Sequence, residues 1–83
     1  MVTMMWEARA ESETMDGLLA WVRGIAVPEI SDAPAWQGAE IYRSDDHRVV
    51  VIAHFDGPVR DLPEPPTDLV ARPPHAWTFT RVE

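Results

Sequence analysis

The sequence has 83 residues, which is enough for one compact domain over 1–83 and too few for two. Fourteen acidic residues against seven basic ones give a formal charge of −7, so we expect no nucleic acid partner. Cysteine is absent, which excludes disulfides, thiolate metal sites and cysteine nucleophiles.

A strand and a helix are the first elements that the sequence predicts. From Val2 to Ala10 apolar residues recur at every second position, which is typical of a strand with one apolar face. Ser12 or Thr14 can cap the helix that follows. Its apolar residues recur at helical spacing: Met15, Leu18, Leu19, Val22, Ile25 and Ala26. We expect this helix to end before Pro28, because proline restricts the residue that precedes it.

Two further strands joined by a hairpin come next. Residues 37–43 and 48–56 read as strands, and the four polar residues between them suit a hairpin loop. Glu40 and Tyr42 share one face of the second strand. The third strand is apolar from Val49 to Ala53 without alternation, so we expect both of its faces to be covered.

The last part of the chain is a proline-rich connection followed by a fourth strand. Residues 57–74 contain six of the eight prolines, and only residues 67–72 could form a helical turn. Residues 75–82 alternate, with His75, Trp77 and Phe79 on one face. The fold class is therefore α+β, with the ferredoxin-like order of strand, helix, strand, strand, short turn and strand.

Four tryptophans supply more apolar surface than one small core takes up easily. Each carries on the order of 200 Å², and a chain of this length buries only about 60 to 65 per cent of its surface on folding. Some of these rings should therefore line a cleft or an interface.

The element order, a first strand that opens at residue 2 and the hairpin over 37–56 resemble the dimeric α+β barrel superfamily, which includes the antibiotic-biosynthesis monooxygenase-like proteins. The resemblance implies a homodimer in which two sheets, one from each protomer, close face to face. A proline-rich connection stands where the family has a second helix. The monooxygenase and haem-degrading branches commonly rely on an asparagine and a tryptophan, with a histidine as haem ligand in the latter. This chain has no asparagine, so no catalytic residue of the family transfers by position.

Two histidines are the candidate catalytic residues. His54 interrupts an apolar strand and shares a face with Asp56, so it could act as a general base. The alternative is a strand-end histidine that is solvated or bonded to backbone. His75 could donate a hydrogen bond at the mouth of a pocket. The candidate ligand-binding residues are Trp6, Tyr42, Trp77 and Phe79, although Trp77 and Phe79 could equally be core or dimer contacts.

Three functions remain open. The first is a small homodimeric binding or accessory protein with an aromatic-lined cleft for an organic ligand or partner. The second is a cofactor-independent, monooxygenase-like or cyclase-like enzyme that acts on an aromatic or polyketide-type substrate. The third is a structural interaction module that docks through its proline-rich segment. We expect no cofactor and no metal, because phosphate loops, dinucleotide fingerprints and spaced metal ligands are absent from the sequence.

The sequence also sets an expectation about cellular location. No stretch approaches the roughly 18 apolar residues of a membrane span. Residues 1–10 lack a basic region followed by an apolar core, which a secretion signal would have. We therefore expect a cytoplasmic protein with no membrane partner.

Overall fold

The computed structural model describes residues 1–82 and confirms the predicted α+β class. Its four strands form one antiparallel sheet in the order β2-β3-β1-β4. This is the ferredoxin-like arrangement, in which the first and third strands lie at the centre. The strands are β1 (Val2–Arg9), β2 (Trp36–Arg43), β3 (Arg48–Phe55) and β4 (His75–Thr80).

The helix between β1 and β2 runs past Pro28, so the prediction that it ends before this proline was wrong. Helix α1 (Met15–Trp21) leads into a π-helical segment (Val22–Ala26) and then into α2 (Val27–Ile30). The wide turn is closed by a bond from the Val27 N–H to the Val22 carbonyl. Pro28 then lies in the first turn of α2, directly after the π-helical segment.

The start of α1 also differs from the expected cap. Thr14 is the N-cap residue, but its side chain makes no capping hydrogen bond to the helix. Its hydroxyl instead donates toward the carbonyl of Leu69, 3.3 Å away, and accepts from the Glu11 N–H at 3.1 Å. This side chain therefore ties the helix start to the proline-rich connection.

The core lies between the helices and one face of the sheet. Alternate side chains of the two central strands point into it, and none of the buried residues in the described part of the chain is polar or charged. Trp6 packs on Trp21 of the helix with 6.4 Å between ring centroids. Trp36 packs edge-on against Phe55 at 5.8 Å. Strand residues on this side are Met4, Trp6, Ala8, Val49, Val51, Ala53 and Phe55.

Residues 1–82 provide no cover for the other face of the sheet. Burial alternates strictly along β3, with Val49 and Val51 fully buried and Val50 and Ile52 only partly so. The helix covers one face of β3, as expected, and cover for the other face stays a prediction that concerns a second chain. The apolar residues of β3 therefore lie in two different environments. One set packs against the helix, and the other set lies on the side that the helix does not cover.

The connection from β3 to β4 takes the place of a second helix. Residues 67–69 form one turn of 3₁₀-helix, and Leu62 is buried at the edge of the core. Ala71 donates its N–H to the Arg9 carbonyl at 2.7 Å. This cover does not extend over β4, since all six residues of that strand are exposed.

Candidate functional site

The uncovered face of the sheet, which we call the open face, brings together most of the predicted site residues. Residues directly opposite each other in an antiparallel pair point to the same side. The register therefore sets the open face out in three rows that run from β4 to β2: Phe79, Thr3, His54 and Gly38; Trp77, Met5, Ile52 and Glu40; His75, Glu7, Val50 and Tyr42.

His54 forms the chemically most distinctive group on this face. Its Nε2 lies 2.9 Å from a carboxylate oxygen of Glu40, and its Nδ1 lies 3.4 Å from the hydroxyl of Thr3. An ionised carboxylate only accepts hydrogen bonds, so a neutral imidazole donates its Nε2–H to Glu40. Nδ1 then carries the lone pair, with the Thr3 hydroxyl as a long and weak donor. A proton acceptor held by a carboxylate partner is the arrangement that a general base needs.

Strand pairing explains why Glu40 is the partner of His54. Gly38, not Glu40, lies directly across from His54, and Glu40 is the diagonal neighbour two residues further along β2. Gly38 has φ of +134°, a conformation that side-chain-bearing residues rarely adopt, and it follows a register shift in β2. The regular pairing from Arg43 to Gly38, which starts at the hairpin loop and ends at this irregularity, places the carboxylate next to the imidazole.

Asp56 does not hold His54, although the sequence suggested that these two residues act together. Its carboxylate accepts instead from the side-chain amide of Gln37 at 2.9 Å. The alternation along β3 does place both residues on one side, but cross-strand neighbours decide the hydrogen bonds. Thr3 is therefore the neighbour of His54 that the sequence reasoning missed. Glu40 was among the acidic residues that the sequence placed on a neighbouring strand, and the register makes it the diagonal neighbour of His54.

Aromatic side chains flank the open face at both edges. His75 and Trp77 stack on β4 with ring centroids 5.9 Å apart and an interplanar angle of 19°. Trp77 is 44% exposed, Phe79 53% and Tyr42 53%. Between these edges lie the partly buried side chains of the central strands. This is a broad aromatic and apolar floor.

Trp6 lies apart from the other predicted ligand-binding residues. It is 3% exposed and points to the helix side of β1, whereas Tyr42, Trp77 and Phe79 are on the open face. Its register neighbours Val51 and Ala76 also face the helix side. The four residues predicted to bind a ligand therefore do not share one surface, and Trp6 is a core residue.

Charged groups gather at the hairpin end of the open face. Glu7 accepts from Arg72 at 2.5 Å, which ties the end of the connection to the sheet. The Ser44 hydroxyl donates to Asp46 and, together with the Arg48 guanidinium, lowers the pKa of that carboxyl from its ordinary value. The pair of Ser44 and Asp46 is exposed and local, whereas the pair of Glu7 and Arg72 joins two distant parts of the chain.

The three most pronounced surface depressions of residues 1–82 lie away from the exposed aromatic residues of the open face. Three surface depressions have volumes of about 330, 340 and 270 Å³. The first is lined by residues 34–35 and 56–58, the second by residues at the hairpin end near Arg9 and His47, and the third by the proline-rich connection. None of the three includes His54, Trp77 or Phe79. One chain thus presents an open aromatic face and no enclosed aromatic cleft.

Residues 1–82 contain neither a cluster of metal ligands nor a membrane-spanning helix. No group of three or more histidine, aspartate or glutamate side chains is placed to hold a metal ion in this part of the chain. No helix formed by these residues has the length and apolar character to cross a bilayer.

Comparison with solved structures shows the fold of antibiotic biosynthesis monooxygenase-like proteins. Rv0793 from Mycobacterium tuberculosis superposes with a TM-score of 0.71 at 12% identity, over 99% of this chain and 95% of that chain. A protein described as an antibiotic biosynthesis monooxygenase gives 0.70 at 9% identity, with 100% of both chains covered. A monooxygenase of Streptomyces coelicolor, solved in complex with the ligand nanaomycin D, gives 0.71 at 14% identity, over 99% and 88%. No protein-family model and no curated protein sequence matches the chain.

Proposed function

We propose that this chain is a small homodimeric binding protein whose open face, covered by a second copy, forms an aromatic-lined cleft for an organic ligand. The observation that carries the proposal is the exposure of three large aromatic side chains, Tyr42, Trp77 and Phe79, on one face. A contiguous exposed apolar patch in a small protein marks a surface for a ligand or a partner. The ligand complex of the structurally similar Streptomyces protein supports a binding role for this fold.

A second copy is the partner that this surface fits best. Sheets bury an apolar face by packing on another sheet about 10 Å away. Two identical open faces related by a two-fold axis give each protomer the same contacts, which is how most homodimers are built. Aromatic residues at the edges and smaller apolar residues in the middle then leave space for a flat molecule between the sheets.

The oligomeric state is the first test. Size-exclusion chromatography with light scattering, at about 1 to 100 µM protein, should give twice the 9.4 kDa mass of one chain. Trp77→Lys should shift the population toward monomer, because it places a charge in the interface. Ile25→Lys is the matched control, since Ile25 is 56% exposed but lies on the helix and away from the open face. A monomeric wild type at every concentration would contradict the proposed dimer.

Ligand binding is the second test. The fluorescent aromatic probe anilinonaphthalene sulfonate should bind the dimer saturably, and Phe79→Ala should weaken this binding. Ile25→Ala again provides the control, because it removes an exposed apolar side chain elsewhere. Equal binding by the two variants would show that the probe does not use the open face.

The contact between His54 and Glu40 favours a second candidate, a cofactor-independent enzyme. In this role the Nδ1 lone pair of His54 accepts a proton from a phenolic hydroxyl or an activated C–H of an aromatic substrate. Glu40, 2.9 Å from Nε2, stabilises the imidazolium that results. A second copy over the open face would exclude water from this proton transfer, which strengthens the electrostatic contribution of the carboxylate.

Proton transfer can be measured without knowing the natural substrate. Exchange of the acidic C–H hydrogens of 2-tetralone with deuterated buffer, followed by proton NMR, reports base catalysis at an aromatic ketone. His54→Gln should abolish any catalysed exchange, and Glu40→Gln should reduce it. His75→Gln tests the other predicted base, which lies on the same face without a carboxylate partner among residues 1–82. Exchange no faster than in buffer would remove the enzyme reading for this class of substrate.

A further inference from the structure

The pair formed by Glu40 and His54 lies within the surface that the proposed dimer buries, and this has a consequence for association. The side chain of His54 is 31% exposed and that of Glu40 is 49% exposed, so water still reaches both in one chain. We infer that self-association of this chain is coupled to a proton on His54, so that the dimer is favoured in mild acid and weakens above neutrality. The inference rests on the proposed homodimer and adds its regulation.

The sign of the coupling follows from the charge that is buried in each state. With His54 protonated, the imidazolium and the Glu40 carboxylate form an ion pair with no net charge. With His54 neutral, the same hydrogen bond remains, but one negative charge per protomer has no counter-charge. Burying an unpaired charge costs far more than burying a neutral pair. Association therefore takes up protons, and raising the pH opposes it.

The surroundings of His54 leave Glu40 as the group that compensates its charge. Strand β1 presents Thr3 beside the imidazole, and its acidic residue Glu7 lies two rows away and is paired with Arg72. Asp56, at the end of β3, is bonded to Gln37. Within residues 1–82, the remaining titratable or charged groups on or next to this side of the sheet are Tyr42 on β2, His75 on β4, Arg9 and Arg48 at the hairpin end, Arg81 after β4 and the α-amino group of Met1 before β1. None of these is an acid that could replace Glu40.

Sedimentation equilibrium of the full chain at several pH values measures the coupling directly. Imidazole groups change charge mainly between about pH 5 and pH 8. We expect the dimer dissociation constant to rise by about tenfold or more across this range, since two protomers each lose a compensating proton. Circular dichroism at each pH confirms that the chain stays folded during the measurement.

Three variants separate this coupling from the general acidity of the chain. His54→Gln should give a dimer as weak as the wild type at high pH, with little remaining pH dependence. Glu40→Gln should reverse the dependence, because protonated His54 then has no counter-charge and the neutral form associates better. His75→Gln, which removes a histidine from the same face, should behave like the wild type.

The outcomes distinguish the inference from the dimer on which it rests. A wild type that is monomeric at every pH overturns both. A dimer with a pH-independent dissociation constant overturns the coupling and leaves the dimer standing. The coupling is also overturned if His54→Gln keeps the pH dependence of the wild type, because the proton then resides elsewhere. Reversal of the dependence in Glu40→Gln is the result that supports it most strongly.

Discussion

Truncation of Trp6 tests the assignment of this ring to the core. Trp6 is 3% exposed and packs on Trp21, so its indole has almost no contact with water. About 200 Å² of ring surface, at about 25 cal/mol per Å², corresponds to roughly 5 kcal/mol of transfer free energy. Alanine keeps part of this area and the unfolded chain already buries some, which lowers the value. We therefore expect Trp6→Ala to reduce the free energy of unfolding by about 3 to 5 kcal/mol.

This loss is large for a chain of 83 residues. At about 0.05 to 0.15 kcal/mol per residue, the total stability amounts to roughly 4 to 12 kcal/mol. Trp6→Ala could therefore unfold the chain altogether, and Trp6→Leu, which keeps more apolar volume, provides a smaller perturbation of the same site. Urea unfolding should be followed by far-ultraviolet circular dichroism, because the substitution changes tryptophan fluorescence.

Trp77→Ala is the matched control, since it removes the same ring from the open face, where the residue is 44% exposed. At a protein concentration low enough to keep the chain monomeric, its cost should stay below about 1 kcal/mol. A Trp6→Ala cost below about 1 kcal/mol, or equal costs for the two variants, would refute the division of the sheet into a core side and an open side.

Three further substitutions test local features. Gly17→Ala places a methyl group 3.0 Å from Cδ2 of Leu69. The free energy of unfolding in urea should therefore rise by less than the ~1 kcal/mol that the higher helix propensity of alanine provides. In a Leu69→Ala background, which removes the close contact, the full increase should be seen. Gly38→Ala forces a side chain into φ of +134° and should cost about 1 to 3 kcal/mol in the same assay. Ser44→Ala removes the donor to Asp46, so the pKa of Asp46 should rise toward its ordinary value in a carboxyl NMR titration. Because the pKa of Asp46 is lower in the folded chain than in the unfolded chain, its ionised carboxyl stabilises the fold at pH values above the unfolded-state pKa. This stabilisation is lost as the pH falls through the folded-state pKa.

The strands and their order could be predicted from the sequence because the signals are local. Alternation along β1 and β4 and the polar loop between β2 and β3 each lie within about ten residues of chain. The predicted helix end was wrong because the helix changes to a π-helical segment before Pro28 and continues beyond it, and sequence periodicity does not reveal this change. The rule that proline ends a helix considers only the proline and its immediate neighbour. It does not take account of the π-helical turn that precedes Pro28.

The candidate site was predicted in part, for a different physical reason. Alternation within β4 correctly groups His75, Trp77 and Phe79, and the register between strands places His54 and Tyr42 on the same face. The residue pattern of a single strand does not show which of its two faces the helix covers. Trp6 was therefore grouped with residues that lie on the opposite face of the sheet. Asp56 was favoured as the partner of His54 because it lies on the same strand, whereas Glu40 comes close only through the register between β2 and β3.

The amide hydrogens of strand β4 should report directly on the formation of the proposed dimer. This strand pairs only with β1, it follows a long connection, and all six of its residues are exposed. Its amide hydrogens should therefore exchange with deuterated solvent through local opening long before those of β1 and β3. A second copy on the open face would hold β4 against the central strands and slow this exchange. The protection of β4 amides would then measure the assembled fraction residue by residue, without any label.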